Sequence, residues 1–188
     1  NAPYQPTDAT NPVRLFAGSG MKPSVWKRVV DRFDCGVLEF YASTEGNAVL
    51  ANASGSKVGA LGRPLPGSVE MALCAYDFDA KDFVRDSRGL LRRCGSSEPG
   101  VLLSRIDATH PAYDQDDPRV VRNVFAGGAR WWRSNDVLEP DRDRAMRFPG
   151  RLHEVPRAAG RPVFLRPIED APPAPARFPP PVALVLAG

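Results

Sequence analysis

Tyr41-Ala42-Ser43-Thr44-Glu45-Gly46-Asn47 closes a short apolar run, Val37-Leu38-Glu39-Phe40, and sets an aromatic face, two hydroxyls, a carboxylate and a glycine hinge side by side. The run reads as a strand, so the heptad falls on the loop leaving its C-terminal edge, where open α/β sheets place ligands. Those groups suit a nucleotide and its metal. Upstream, residues 13–17 read as a buried strand running into a Gly18-Ser19-Gly20 turn, and Pro23 stands where the first position of a helix tolerates a missing N–H. Val25, Trp26, Val29, Val30 and Phe33 recur at helical spacing, with Gly36 placed as the stop. Strand, helix and strand predict a βαβ-like unit. Parallel strands there would bring Gly18–Gly20 and the heptad to one edge.

From residue 48 onward the signals change to short β segments. Residues 48–50, a Ser54-Gly55-Ser56 turn, the alternating stretch 69–74, and Phe83-Val84 facing Leu90-Leu91 across Asp86-Ser87-Arg88-Gly89 predict a small antiparallel subdomain. Residues 101–106 add a strand. Residues 118–125 are expected as a short helix with Val120, Val121 and Val124 on one side, and Gly62-Arg63-Pro64-Leu65-Pro66-Gly67 as a turn. The fold class expected is α/β with an irregular C-terminal tail, because residues 149–188 hold 10 of the chain's 20 prolines and no lysine, and periodicity fails there.

The 188 residues, 43% hydrophobic and 25% charged, suffice for one buried core. The net charge of +3 is uneven: residues 1–140 hold 17 basic and 17 acidic side chains, whereas 141–188 hold 8 arginines against 5 acids. A neutral body lacks the clustered positive face of a nucleic-acid platform. Cys35, Cys74 and Cys94 form no C-x-x-C pair, which argues against zinc and for buried thiols in a reducing compartment. No apolar stretch approaches the roughly 20 residues that span a bilayer. The start at Asn1 carries no basic-then-apolar leader and is expected to be internal to a longer protein.

Several segments in a fixed order resemble the adenylate-forming (AMP-dependent synthetase/ligase) superfamily, in its fatty-acid transport protein and very-long-chain acyl-CoA synthetase branch. They are Val13-Arg14-Leu15-Phe16-Ala17-Gly18-Ser19-Gly20, the Trp26 helix, the heptad, Lys57-Val58-Gly59-Ala60-Leu61-Gly62-Arg63-Pro64-Leu65-Pro66-Gly67 and Gly100-Val101-Leu102-Leu103. Trp132-Arg133-Ser134-Asn135-Asp136 is similar to the family's aromatic-x-(Ser/Thr)-Gly-Asp element, with Asn135 where glycine is expected. The likeness covers residues 1–143, read as a partial AMP-binding domain, and residues 144–188 read as a divergent Pro/Arg-rich tail. The sudden change of composition is what an out-of-frame translation of GC-rich DNA produces, so a frame change near residues 140–150 is expected.

The resemblance implies ATP, Mg²⁺ and coenzyme A as cofactors and a long-chain fatty acid as substrate. It implies Thr44 on a phosphate oxygen, Glu45 on Mg²⁺, Gly18, Ser19 and Gly20 against a flat ligand, Tyr41 against adenine, and Asp136 on both ribose hydroxyls. Arg151 matches a ribose-contacting arginine by rough position only, while Trp131 and Trp132 read as packing residues, and His110 and His153 as uninvolved. The family's phosphate loop and its C-terminal lysine have no counterpart: the lysines are Lys22, Lys27, Lys57 and Lys81. An isolated chain of this kind is therefore expected to bind more than it turns over. Two other classes compete with the ligase: a non-catalytic nucleotide or acyl module linked to fatty-acid uptake, and an interaction protein working through its Pro/Arg tail. The setting implied is cytoplasmic, with peripheral membrane association compatible with it.

Overall fold

The computed structural model describes residues 2–43, 45, 48–107 and 116–171. Thr44, Gly46, Asn47, His110 and the tail from residue 172 lie outside the described residues. The first unit runs β1 (Leu15–Gly18), α1 (Pro23–Phe33), β2 (Gly36–Ala42), β3 (Val49–Asn52) and β4 (Arg63–Pro64). β1 and β2 are parallel, with Gly18 opposite Glu39, while β3 returns antiparallel to β2 and β4 to β3. Tyr41 and Ala42 of the heptad thus end β2, and just beyond them the Ser43 amide donates to the Ala48 carbonyl at 3.1 Å. The βαβ-like reading holds.

Trp26, 2% exposed, is the one fully buried side chain of α1. The helix stops at Asp34, not at Gly36: Asp34 turns left-handed at φ 46° and its amide reaches the Val30 carbonyl at 3.0 Å. Aspartate tolerates that conformation better than most residues. Gly36 instead opens β2, its amide bonded to the Arg14 carbonyl at 2.9 Å.

The second unit contains β5 (Met71–Asp77), β6 (Asp82–Phe83), β7 (Gly100–Arg105), β8 (Val120–Val121), β9 (Trp131–Pro140) and β10 (Met146–Arg151). Its sheet order is β10-β9-β7-β5-β6, with β8 on β9. The antiparallel subdomain thus begins at Met71; the segment from residue 48 to Pro64 belongs to the first sheet. β7 is central, and its side chains alternate between two cores as the pleat requires. Val101 and Leu103 join Ala72, Cys74, Val124 and Trp131, whereas Leu102 joins Tyr41, Leu50, Leu61 and Leu138. The second cluster fastens one sheet to the other.

The helix expected at 118–125 is not formed. Val120 and Val121 pair with Trp132 and Trp131 as β8, because adjacent β-branched residues fit a pleated surface and lose χ1 freedom in a helix. The end of the described chain is also more ordered than its composition suggests. β10 pairs along β9 from Met146 opposite Pro140 to Arg151 opposite Asp136, with a register shift between Arg147 and Gly150. A hairpin of β11 (Arg157–Ala158) and β12 (Arg161–Pro162) follows, then α2 (Leu165–Glu169). Lys57 reaches across to the turn joining β9 and β10, 2.6 Å from Asp141 and paired with Asp143.

Candidate functional site

Parallel β1 and β2 end at the same edge, and β9 and β10 meet them from the second sheet. Between the two lies a cleft of about 260 Å³, lined among others by Ser19, Gly20, Tyr41, Asp136, Arg151 and Arg166. Ser19, Gly20, Tyr41 and Asp136, all expected on the nucleotide side, therefore line one cleft. Gly18 ends β1 behind this rim without lining the cleft. A Cβ at Gly18 or Gly20 would meet nothing within 4 Å, so both leave open space where a ligand can approach, and Gly20 at φ +82° also needs the freedom of glycine.

Tyr41 is 9% exposed and packs in the inter-sheet core while its hydroxyl reaches into the cleft. That hydroxyl donates to Asp136 Oδ2 at 2.6 Å. Burial, and next the Asp136 charge, push the Tyr41 hydroxyl well above the ordinary tyrosine range. The second Asp136 oxygen stands 3.7 Å from Arg151 Nε, too far for a direct hydrogen bond. Asp136 thus keeps acceptor capacity facing the cleft. The Asp136 amide is held in turn by Ser134 Oγ at 3.1 Å. Asn135 lies within β9 and is not among the residues at positive φ, so an asparagine at this place needs no left-handed backbone.

Two charged residues at this cleft escape a reading of apolar periodicity. Glu39 is 3% exposed in the middle of β2, and its carboxylate accepts the amides of Gly20 and Met21, the latter at 3.3 Å. Burial raises its carboxyl above the usual range, against the opposing effect of those amides and of Arg166. Its signal was present in the alternation Val37, Glu39, Tyr41, which puts it on the inward face. Arg166, from α2, donates to the Gly20 carbonyl at 2.9 Å and to Asp170 at 3.1 Å. Arg151, matched only by position in the sequence, stands beside Asp136.

Glu45 lies in a neighbouring cleft of about 220 Å³ that shares Asp136 and Arg151 with the first. It is exposed and acts electrostatically on Arg119. Among the described residues no group of three or more His, Cys, Asp or Glu is arranged to hold a metal. A single exposed carboxylate still fits magnesium, which takes one or two carboxylates and completes its shell with water and substrate phosphates. Cys35, Cys74 and Cys94 are free thiols, and burial pushes Cys74 and Cys94 up to about 12. His153 lines the neighbouring cleft. No helix among the described residues is long and apolar enough to cross a membrane.

Solved structures with this fold are adenylate-forming ligases. The anthranilate CoA ligase AuaEII, in complex with anthranoyl-AMP, superposes with a TM-score of 0.61 at 19% identity over 84% of this chain and 28% of that one. Apo MatB from Rhodopseudomonas palustris gives 0.59 at 18% identity over 86% of this chain and 30% of that one. In sequence, the medium/long-chain-fatty-acid–CoA ligase FadD6 of Mycobacterium tuberculosis is 35% identical over 177 residues, 91% of this chain and 29% of the relative. Human long-chain fatty acid transport protein 5 is 35% identical over 179 residues, 90% of this chain and 26% of the relative. No protein-family model matches.

The chain belongs to the adenylate-forming synthetase and ligase superfamily, in its fatty-acid transport protein and very-long-chain acyl-CoA synthetase branch. It spans under a third of the length of these curated relatives. The aligned share is larger than residues 1–143 alone could supply. The alignment therefore extends beyond residue 143.

Proposed function

We propose that this chain is the adenylate-binding part of a long-chain or very-long-chain fatty-acid–CoA ligase, acting at a cytoplasmic site with peripheral access to membrane. One observation carries the reading: the Asp136 carboxylate, fixed by the Tyr41 hydroxyl at 2.6 Å, faces a cleft whose opposite rim is the open Ser19-Gly20 turn. A carboxylate with one oxygen engaged and acceptor sites remaining suits the two hydroxyls of a ribose. The hydroxyl end of Tyr41 that reaches the cleft borders the adenine position, and the glycine turn lets backbone approach it.

The chemistry that bound ATP and Mg²⁺ would supply is adenylyl transfer: the fatty carboxylate joins the α-phosphate as pyrophosphate leaves, and the thiol of coenzyme A then takes the acyl group as AMP leaves. This chain's residues orient and neutralise. Asp136 and Arg151 fix the sugar, Glu45 offers an oxygen to the cation and Thr44 a hydroxyl to a phosphate. Stabilising charge that develops during such a transfer, more than covalent participation, is what a protein contributes.

Calorimetric titration with AMP and with a non-hydrolysable palmitoyl-adenylate mimic tests the assignment. The mimic should bind, and Asp136→Asn should weaken it about tenfold or more, the worth of one hydrogen bond to a charged group. Equal affinity in wild type and variant would remove Asp136 from the site. Binding without pyrophosphate exchange marks the chain as a nucleotide and acyl module of fatty-acid uptake, not a ligase on its own.

A further inference from the structure

A separate cavity of about 450 Å³ shares no lining residue with the cleft at Tyr41 and Asp136. Its walls come from three segments far apart in sequence: Tyr76 in β5 with Phe78 and Lys81 in the turn to β6, Asn135 in β9, and Leu152 and Val155 just after β10. The aromatic side is preset. Tyr76 stands edge-on to Phe78 and Phe83, with ring centroids 5.3 and 5.4 Å away, and Phe78 is T-shaped to Phe164 at 5.7 Å. Arg157 pairs with Asp79 of the same turn, so an ion pair and a ring contact clasp the segment after β10 against it. Asp77 Oδ1 accepts the amides of Asp79 and Ala80 at 2.8 and 3.1 Å, and the turn carries Lys81 at φ +55°. Lysine is uncommon at that φ, so the turn, and not the residue's own preference, sets its place.

The polar groups on these walls are unengaged. Among the described residues the Tyr76 hydroxyl, the Lys81 ammonium and the Asn135 side-chain amide have no hydrogen-bond or salt-bridge partner. Burial pushes the Tyr76 hydroxyl up, so it stays a neutral donor. The nearby acids are occupied: Asp79 holds Arg157, Asp77 closes its own turn, and Asp82 Oδ1 accepts the Phe83 amide at 2.7 Å. Lys81 carries the fixed charge on the walls, His153 is the other basic group, and no carboxylate among the described residues lines the cavity.

We propose that this cavity is a binding site for an aromatic monocarboxylate, its ring packed among Tyr76, Phe78, Leu152 and Val155 and its carboxylate taken by Lys81 with Asn135 and the Tyr76 hydroxyl. Ligand sites combine apolar and aromatic walls with a few placed polar groups. Rings already set edge-on accept a further ring in the same manner. A single ammonium with two neutral donors matches one carboxylate through a charge-assisted hydrogen bond, and falls short of what a phosphate chain requires. The site stands apart from the adenylate reading and does not rest on it.

The probe is naphthoate, titrated calorimetrically into the whole chain, with the uncharged naphthamide and the aliphatic decanoate for comparison. One-site binding of naphthoate is expected, about tenfold or more tighter than either comparison. Lys81→Asn removes the ammonium and suits a positive φ, and Tyr76→Phe removes only the hydroxyl; each should weaken binding about threefold to tenfold. Saturating AMP should leave the naphthoate affinity unchanged, because the two clefts share no lining residue. In the wild-type chain, amide chemical-shift changes should centre on residues 78–81 and Asn135, a readout that needs no variant to fold. The proposal is overturned by absence of saturable binding, by naphthamide or decanoate binding as tightly, or by an affinity unchanged in both variants. Displacement by AMP, or shift changes centred on Tyr41 and Asp136, would place the probe in the other cleft and overturn it equally.

Discussion

The Tyr41 hydroxyl donates to Asp136 Oδ2 at 2.6 Å, joining residues 95 positions apart and tying the end of β2 to the middle of β9. The bond does two things at once. It satisfies a phenol whose ring is committed to the core between the sheets, and it turns a carboxylate toward the cleft.

Tyr41→Phe keeps the ring and removes the donor. Leaving Asp136 without it should cost about 1–3 kcal/mol of folding stability. The pH dependence identifies the cause. The Tyr41 hydroxyl is raised above its unfolded value of 10.0, so its contribution is complete below that pH and is lost as pH rises above it. The stability gap between wild type and Tyr41→Phe, measured by urea unfolding, should therefore narrow above pH 10.0. A gap constant with pH would place the effect in packing.

Glu39→Gln should trade stability against site order. Burial raises the Glu39 carboxyl above its unfolded value of 4.5, so the stability it contributes is present below that value and is lost as pH rises. A glutamine does not ionise, and the variant should gain on wild type progressively as pH rises from 4.5 toward neutrality. It should also hold the Ser19-Gly20 turn less firmly, because one amide oxygen replaces two carboxylate oxygens facing the Gly20 and Met21 amides. Unfolding curves across that range, with adenylate titration at neutral pH, read both effects. Parallel curves for the two proteins would remove burial of the charge as the dominant influence.

β1, α1 and β2 were legible because their signals are local: an apolar run, a helical repeat around Trp26 and a second run fix strand, helix and strand before any tertiary contact is considered, whereas the sequence did not assign β3 and β4 to that sheet. β8 was not, since Val120, Val121 and Val124 fit one side of a helix as well as a strand, and the choice is made by pairing with Trp131 and Trp132. β10 was hidden by its own composition. Pro149 and Gly150 interrupt Met146–Arg151, and a proline survives there because the strand is at the sheet edge and its register shifts at that place. At the site, Tyr41 and Asp136 could be singled out by residue type and order. Arg166 could not, because an isolated arginine carries no pattern and gains meaning only from what the fold sets beside it.

Gly62 marks where the two sheets are joined. Its carbonyl accepts the Met146 amide at 2.7 Å, and the Leu61 amide returns to the Met146 carbonyl at 2.8 Å. What reads in sequence as the start of a Pro/Gly turn is thus also a bridge between β10 and the entry to β4. A Cβ on Gly62 would lie 1.9 Å from the Ala51 carbonyl oxygen, and the residue holds φ +100°. Backbone cannot yield as a side-chain tip can, and an L side chain is strained at that φ in addition. Gly62→Ala should therefore force the Gly62 backbone away from β3, disturb its bridge to Met146, and cost more than the 0.5–3 kcal/mol of a typical substitution, roughly 4 kcal/mol or above. Gly67→Ala is the control, being at φ +80° with nothing within 4 Å of its added Cβ. It should lose only about 1–2 kcal/mol from backbone strain. Thermal melts of the two variants separate the crowding at Gly62 from the strain both share; comparable losses would mean that the Ala51 contact does not constrain the fold.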